Sequence, residues 1–355
     1  LDVGGSGSGT GGGRTIRTDN PIVDLQSNLN RADNVVVMQY TTDAARAEYL
    51  RQTVLDVVTS EGEVWTPSQR DVPESQRVSD GLPAPDGLDR SVIDVDEVQY
   101  RIQISENLGS QWLPLPHPAQ EVDIPGDFRY DRGTLDVVAS DGDVQGLQYE
   151  VTTLHLDLEP ETLREAESVP DELEDMLELP EDLPEVVVEL AEEVVEDADT
   201  PWDQAVELQA WFRSTSNFTY DTTPNLGMSP SAIAEFLEQR VGFCQQFAAT
   251  MVLMSRSLGI PARLAVGFTP GQTEEDGSRI VRAHDAHAWP ELYFEGAGWV
   301  RFEPTPAQRT GAAPAWTRPP QEDGDSEGED DPTAGGAAVP PSGGSLTDTD
   351  QQLEG

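Results

Sequence analysis

Three side chains late in the chain have the types that covalent acyl transfer needs: a thiol, an imidazole and a carboxylate. Cys244 is the sole cysteine of the 355 residues. Gly242-Phe243-Cys244 opens a segment, Gln245 to Leu258, in which Phe247, Met251, Met254 and Leu258 recur at helical spacing. Cys244 is thereby predicted in the first turn of a helix. Unpaired backbone N–H groups and the positive end of the helix dipole favour an anion there, which suits a nucleophilic thiolate.

The helix is expected to end at Gly259-Ile260-Pro261, a C′ glycine followed by a proline. Arg263 to Phe268 reads as a strand and Thr269 to Ser278 as a polar turn region. His284-Asp285-Ala286-His287-Ala288-Trp289 then runs through Glu291 to Phe294, a Glu-Gly-Ala-Gly turn, and Trp299-Val300-Arg301-Phe302-Glu303, a hairpin pattern. If His287 lies opposite Glu303, the pairing is centred on Glu295, inside the turn, and the two side chains share one face. Cys244, His287 and Glu303 are then the parts of a Cys-His-acid triad. The histidine takes the thiol proton, the carboxylate fixes the tautomer, and the thiolate attacks a carbonyl whose developing charge the Cys244 N–H can receive. A second oxyanion donor is not assignable from the sequence. This chemistry calls for no metal or organic cofactor.

Gly-Phe-Cys, then Gly-Ile-Pro-Ala-Arg, then Asp-Ala-His-Ala-Trp, then Gly-Trp-Val-Arg-Phe-Glu-Pro-Thr-Pro, in this order and at these spacings, resemble the transglutaminase-like superfamily. Within it they are similar to the membrane-anchored TgpA-type proteins of prokaryotes. By that resemblance Cys244 matches the nucleophile and His287 the base. Glu303 stands where the family usually has Asp, a departure of one methylene in the third member. The resemblance implies a papain-like core, protein or peptide substrates, and an extracytoplasmic segment held between transmembrane helices. Amine release of the acyl group makes a transglutaminase and water release a protease or deamidase, and both remain open here. A different class also remains: a binding or scaffold module on the same fold with the catalytic motif impaired, which Glu303 in place of Asp keeps in view.

Other chemistry-bearing residues have plainer readings. His284 lies outside the His-Ala-Trp motif and either shapes the site or is solvated. Asp285 reads as a turn or cap residue, Trp289 and Trp299 as core or pocket wall. His117 and His155 stand alone in the β region and read as structural or surface groups. Asp141-Gly-Asp and Asp323-Gly-Asp superficially resemble calcium loops, but their twelfth positions are Thr152 and Ala334 rather than Glu.

The chain carries a formal charge of -46, with 67 acidic residues against 21 basic ones, all arginine. Such a surface repels phosphate backbones and anionic lipid, so nucleic acid is excluded as a natural partner. One cysteine excludes an internal disulfide framework and a cysteine-based zinc site. No stretch reaches the roughly 18 to 20 apolar residues that span a bilayer, and no signal peptide is visible. A first residue of Leu rather than Met reads as a piece of something longer.

Length predicts two domains with tails, since single cores rarely exceed about 250 residues. Residues 1–20 are Gly-rich, a linker composition. Residues 21–158 alternate short β-prone runs with turn residues, among them Asn34 to Tyr40, Gln52 to Val58, Val98 to Ile104 and Leu147 to Leu158, and predict an antiparallel, sandwich-like β domain. Residues 159–306 turn helical, with Pro160, Pro170, Pro180 and Pro184 as dividers. Thr200-Pro201 and Ser229-Pro230 mark the starts of helices bearing Trp202, Ala205, Leu208 and Phe212, then Ile233, Phe236 and Leu237. Helices followed by an antiparallel sheet give an α+β catalytic unit. Residues 307–355 are dominated by Ala, Pro, Gly and acids and are expected to be disordered, a spacer to the next membrane helix by the resemblance.

Overall fold

The computed structural model describes residues 16–18, 21–58, 65–67, 72–166, 169–224 and 227–318. Two antiparallel sheets carry most of the β structure. The larger runs in the order Gln272–Thr273, Arg279–Arg282, Val36–Thr42, Asp94–Ile104, Gln148–Asp157 and Ala119–Asp123. The smaller runs Gly298–Arg301, Ala286–Phe294, Ala262–Phe268, Leu50–Leu55 and Leu115–Pro116. The N-terminal β-rich region and the later core therefore contribute strands to both sheets, and the sequence boundary near residue 158 is one that both sheets cross. Leu50–Leu55 pairs directly with Ala262–Phe268, so an N-terminal strand is built into the sheet that carries His287.

The β-prone runs emerge as strands with ends shifted by a few residues, as expected where hydrophobic patterning sets the middle of an element better than its limits. In the helical part, Pro201–Arg213 is capped by Thr200, whose hydroxyl accepts from the Asp203 N–H at 3.1 Å. Pro230–Gln239 is capped by Ser229, which accepts from the Ala232 N–H at 3.2 Å. Proline stands at the first helical position of both, where its missing N–H costs nothing. Phe212, Phe218 and Phe236 bring their rings to within 5.1 to 6.2 Å of Phe247. These aromatics clamp both helices onto the helix Cys244–Ser257.

That helix is buried on every side from Cys244 to Arg256 rather than along the single stripe its periodicity predicts. Two of its polar members find partners among backbone carbonyls. Thr250 donates to the Gln246 carbonyl at 2.6 Å, and the Arg256 guanidinium donates to the carbonyls of Ala262, Glu178 and Asp56 at 2.8, 2.9 and 2.9 Å. A charged fork that satisfies three backbone carbonyls can be buried where an unpaired one could not.

Three features depart from the sequence reading. Pro21–Leu29 is a helix within the region expected to be all strands; the signal was a proline at its first position. Arg279–Arg282 is a strand that pairs with Val36–Thr42, and its isolated Ile280-Val281 was too short to stand out from the polar turn before it. Residues 307–318, expected to be disordered, form a short helix, Ala307–Thr310, and a further turn, Ala315–Thr317. Composition failed there because the stabilising contacts are polar and long-range: Gln209 donates to Thr317 Oγ1 at 2.8 Å and Arg213 donates to the Gly311 carbonyl. The remainder of the predicted spacer, most of the predicted linker and the Asp323 loop lie outside the described residues; within the linker Ile16–Thr18 pairs in parallel with Leu108–Ser110.

Candidate active site

Cys244 is the first residue of its helix, as its spacing predicts, and is buried. The entry is set by Gln246, whose side-chain oxygen accepts from the Phe243 N–H at 3.1 Å while its amide donates to the Gly227 carbonyl at 3.2 Å. Ahead of it, Val241–Gly242 pairs in parallel with Thr219–Tyr220. Gly242 is required by packing: a Cβ there would lie 2.9 Å from the Phe236 ring and 3.3 Å from the Gln246 Cβ.

His287 lies on Ala286–Phe294, paired with Gly267 of the neighbouring strand. A Cβ on Gly267 would fall 2.1 Å from the Leu50 carbonyl oxygen, so glycine is what lets Leu50–Leu55 close onto this sheet and bring Tyr49 alongside. The hairpin pairs Glu291 with Arg301 and Phe294 with Gly298, and the Phe302 N–H to Pro290 carbonyl bond at 3.0 Å continues that register. Glu303 is thus level with Trp289 rather than His287, two residues from the expected opposition but on the same face. The longer diagonal is within reach of a glutamate. His287 Nε2 lies 2.8 Å from Glu303 Oε2, both residues buried.

The rest of the carboxylate is also occupied. Tyr49 donates its hydroxyl to Oε2 at 2.8 Å and the Thr305 N–H donates to Oε1 at 3.0 Å. The Glu303 backbone is held as well, its N–H by Gln209 Oε1 at 2.7 Å and its carbonyl by Arg213 at 3.0 Å. Tyr49 meets the imidazole edge-on at 5.7 Å, and Trp289 stacks against it at 6.1 Å. Together these rings wall the His287–Glu303 pair from solvent.

Burial works against a charged imidazole at His287, but the Glu303 charge, together with hydrogen bonding and charge from Cys244, outweighs it and carries the pKa up to about 9. Glu303 shows the complement: burial would raise its pKa, and the His287 charge and the hydrogen bonds from His287, Tyr49 and Thr305 bring it down to about 2. With Nε2 engaged by Glu303, the other ring nitrogen, Nδ1, is buried without a hydrogen bond of ordinary geometry. It is the nitrogen left for the thiol.

The remaining residues singled out from sequence are placed apart from this pair. A ring nitrogen of His284 lies 2.9 Å from the Arg31 carbonyl, away from the pair. Asp285 accepts from the Arg282 N–H at 2.7 Å, a turn role. Trp299 lies under the Arg263 guanidinium, His155 lies 3.9 Å from Glu48, and His117 is held neutral by burial and the nearby Arg51 charge.

Sequence reasoning missed Tyr49, Gln209, Arg213, Tyr220 and Arg309. Tyr49 and Gln209 lie far from Glu303 in the chain, and no local pattern links them. Arg309, which donates to the carbonyls of His284 and Ala286, lies in the stretch whose composition predicted disorder. Phe218-Thr219-Tyr220, a short β-prone run ahead of the helix that begins at Cys244, was the one local signal available.

Residues 188–304 match the family model of the transglutaminase-like superfamily core, and residues 2–160 match that of the TgpA N-terminal domain. The uncharacterised protein YebA of Bacillus subtilis is 36% identical over 129 residues, 32% of this chain and 17% of that protein. A protein-glutamine gamma-glutamyltransferase of Pseudomonas aeruginosa is 34% identical over 90 residues, 25% of this chain and 13% of that protein. The matched segments thus span under a fifth of either relative. The crystal structure of the periplasmic domain of TgpA from Pseudomonas aeruginosa superposes with a TM-score of 0.60 over 79% of this chain and 90% of that chain, at 22% identity, a likeness of fold. The chain thus carries a TgpA N-terminal domain followed by a core of the transglutaminase-like superfamily.

Proposed function

We propose that the protein transfers acyl groups through a thioester on Cys244, with His287 as base and acid and Glu303 as the carboxylate that orients it. A glutamine carboxamide or a peptide bond of a protein substrate enters beside Cys244. His287 Nδ1 takes the thiol proton, the sulfur bonds to the carbonyl carbon, and the nitrogen leaves with the proton returned by the imidazolium. An amine or water then releases the acyl group. The observation that carries this reading is the buried 2.8 Å bond between His287 and Glu303, with the second ring nitrogen making no hydrogen bond of ordinary geometry and Cys244 contributing to the imidazole's raised pKa. The same distance answers the extra methylene of Glu303: the carboxylate reaches the imidazole, which favours an active enzyme over an impaired scaffold.

By analogy with the periplasmic relative, the chain works on the extracytoplasmic side of a membrane, on surface or envelope proteins, as part of a longer membrane-embedded protein. No described helix is itself long and apolar enough to cross a membrane. Alkylation of Cys244 by iodoacetamide across a pH series tests the core of the reading. Wild-type labelling near neutral pH should exceed that of His287→Ala by about a hundredfold or more. Slow labelling that ignores His287 would move the weight to a binding module. A blocked glutaminyl peptide offered with and without hydroxylamine then separates amine from water as acceptor.

A further inference from the structure

Tyr220 stands level with Gly242 in the short parallel pairing that leads into Cys244, and the Asp221 N–H bond to the Gly242 carbonyl at 2.8 Å fixes that register. Its phenolic oxygen is buried and makes no hydrogen bond of ordinary geometry. A buried hydroxyl left this way is costly, so such groups call for an explanation. Burial, followed by the charge of Cys244, pushes the phenol well above its usual pKa, so it keeps its proton through the working range. Arg309, tied to the carbonyls beside His287, lies next to the same phenol and within electrostatic reach of Cys244. The hydroxyl is a protonated donor without a good acceptor, two residues upstream of the nucleophile in register.

We infer that Tyr220 is the side-chain donor to the oxyanion formed when Cys244 attacks an acyl carbonyl, the partner of the Cys244 backbone N–H. The inference rests on the acyl-transfer reading above. As the sulfur–carbon bond forms, the carbonyl π pair moves onto oxygen, and the Tyr220 O–H and Cys244 N–H donate to it. As the pair returns, the carbon–nitrogen bond breaks and the nitrogen leaves with the His287 proton, so nothing further is consumed. A donor aimed at charge that develops only in the transition state lowers the barrier without tightening the ground state.

Two probes of the same thiol separate this role from a structural one. Acylation by 4-nitrophenyl acetate, read as the nitrophenolate burst, passes through an oxyanion; alkylation by iodoacetamide, a displacement at saturated carbon, does not. In the full 355-residue chain, Tyr220→Phe should slow the burst by about a hundredfold, the cost of one oxyanion donor, while alkylation stays within about twofold. A burst as fast as wild type overturns the inference. Equal losses in both reactions also overturn it, because Tyr220 would then be shaping the thiol. Wild-type alkylation that ignores His287 overturns the acyl-transfer reading itself, and this inference with it.

Discussion

The strand Ala286–Phe294 holds two buried acid–base assemblies on one face, four residues apart. At Glu291 the carboxylate is gripped by two arginines: Arg51 Nη1 donates to it at 2.9 and 3.2 Å, and Arg263 approaches Oε2 at 2.8 and 2.7 Å through Nε and Nη2. Arg51 also faces Asp136 at 3.1 Å. Burial would raise the Glu291 pKa, and the charges of Arg51 and Arg263 hold it well below the usual carboxylate range. At His287 the carboxylate is equally well held, but the imidazole keeps one nitrogen without a hydrogen bond of ordinary geometry. The two arginines of the first assembly have no proton to give near neutral pH, whereas the imidazole of the second can exchange one. Saturation with fixed charges makes a joint; a proton-exchanging member with an open valence makes a site for chemistry. Trp289, between them on the same face, packs with Ala265 and Val54 in a small cluster apart from the main core.

That contrast is broken most directly by isosteric neutralisation of each acid. Glu291→Gln removes the counter-charge shared by two buried guanidinium groups that cannot neutralise themselves, leaving Asp136 to Arg51, and a loss of roughly 3–5 kcal/mol in unfolding free energy is expected. Denaturant unfolding measures it, and iodoacetamide labelling of the folded variant should stay within about threefold of wild type. A chemical defect as large as the stability defect would merge the two assemblies into one functional network.

Glu303→Gln should cost less, about 2 kcal/mol, because the imidazole can shed its proton when its counter-charge is removed. The chemical effect is the informative one. The Glu303 charge is the leading cause that raises His287 to about 9, so the alkaline limit of acyl transfer should move from near pH 9 toward neutrality. The stability difference between wild type and variant has its own pH signature. The raised His287 pKa contributes fully below the unfolded value of 6.5 and is lost as pH rises through about 9. The lowered Glu303 pKa contributes above 4.5 and is lost as pH falls through about 2. The gap between the two proteins should therefore be widest between those unfolded values and narrow on either side. A pH-independent gap would mean that the pair is not ionised in the folded state.

What the sequence disclosed and withheld follows the range of the interactions involved. The helix at Cys244, the strand at His287 and the turn before Glu303 rest on local periodicity and on Gly and Pro punctuation, which a single stretch displays. The shared face of His287 and Glu303 was also legible, because alternation survives a shift of two residues; the register itself was not, since a four-residue turn does not set it uniquely. Tyr49, Gln209 and Arg309 were invisible for another reason. Each reaches the site through contacts between distant segments, and Arg309 does so from a stretch whose polar bonds composition cannot count. Strand sharing between the two halves was hidden the same way, with Gly267 recognisable as an opening for Leu50 only once the strands are paired.

Tyr49 gives the smallest effect and the finest test of the comparison. Its hydroxyl is one of three donors to Glu303, and its ring walls the imidazole while carrying Arg301 over its outer face at 4.1 Å. Tyr49→Phe removes the hydroxyl and keeps the ring. A hydrogen bond to a buried carboxylate is worth about 1.5–3 kcal/mol, and the loss should sit at the low end because Glu303 keeps His287 and the Thr305 N–H. Losing a donor makes the carboxylate more basic, so Glu303 should protonate at a higher pH and the acid limb of stability should move up, while the alkaline limit of acyl transfer, set by His287, stays in place. If that alkaline limit instead moves as far as it does in Glu303→Gln, the phenol is sustaining the charge of the pair rather than merely completing its hydrogen bonds. The N-terminal β region would then belong to the catalytic apparatus and not only to its wall.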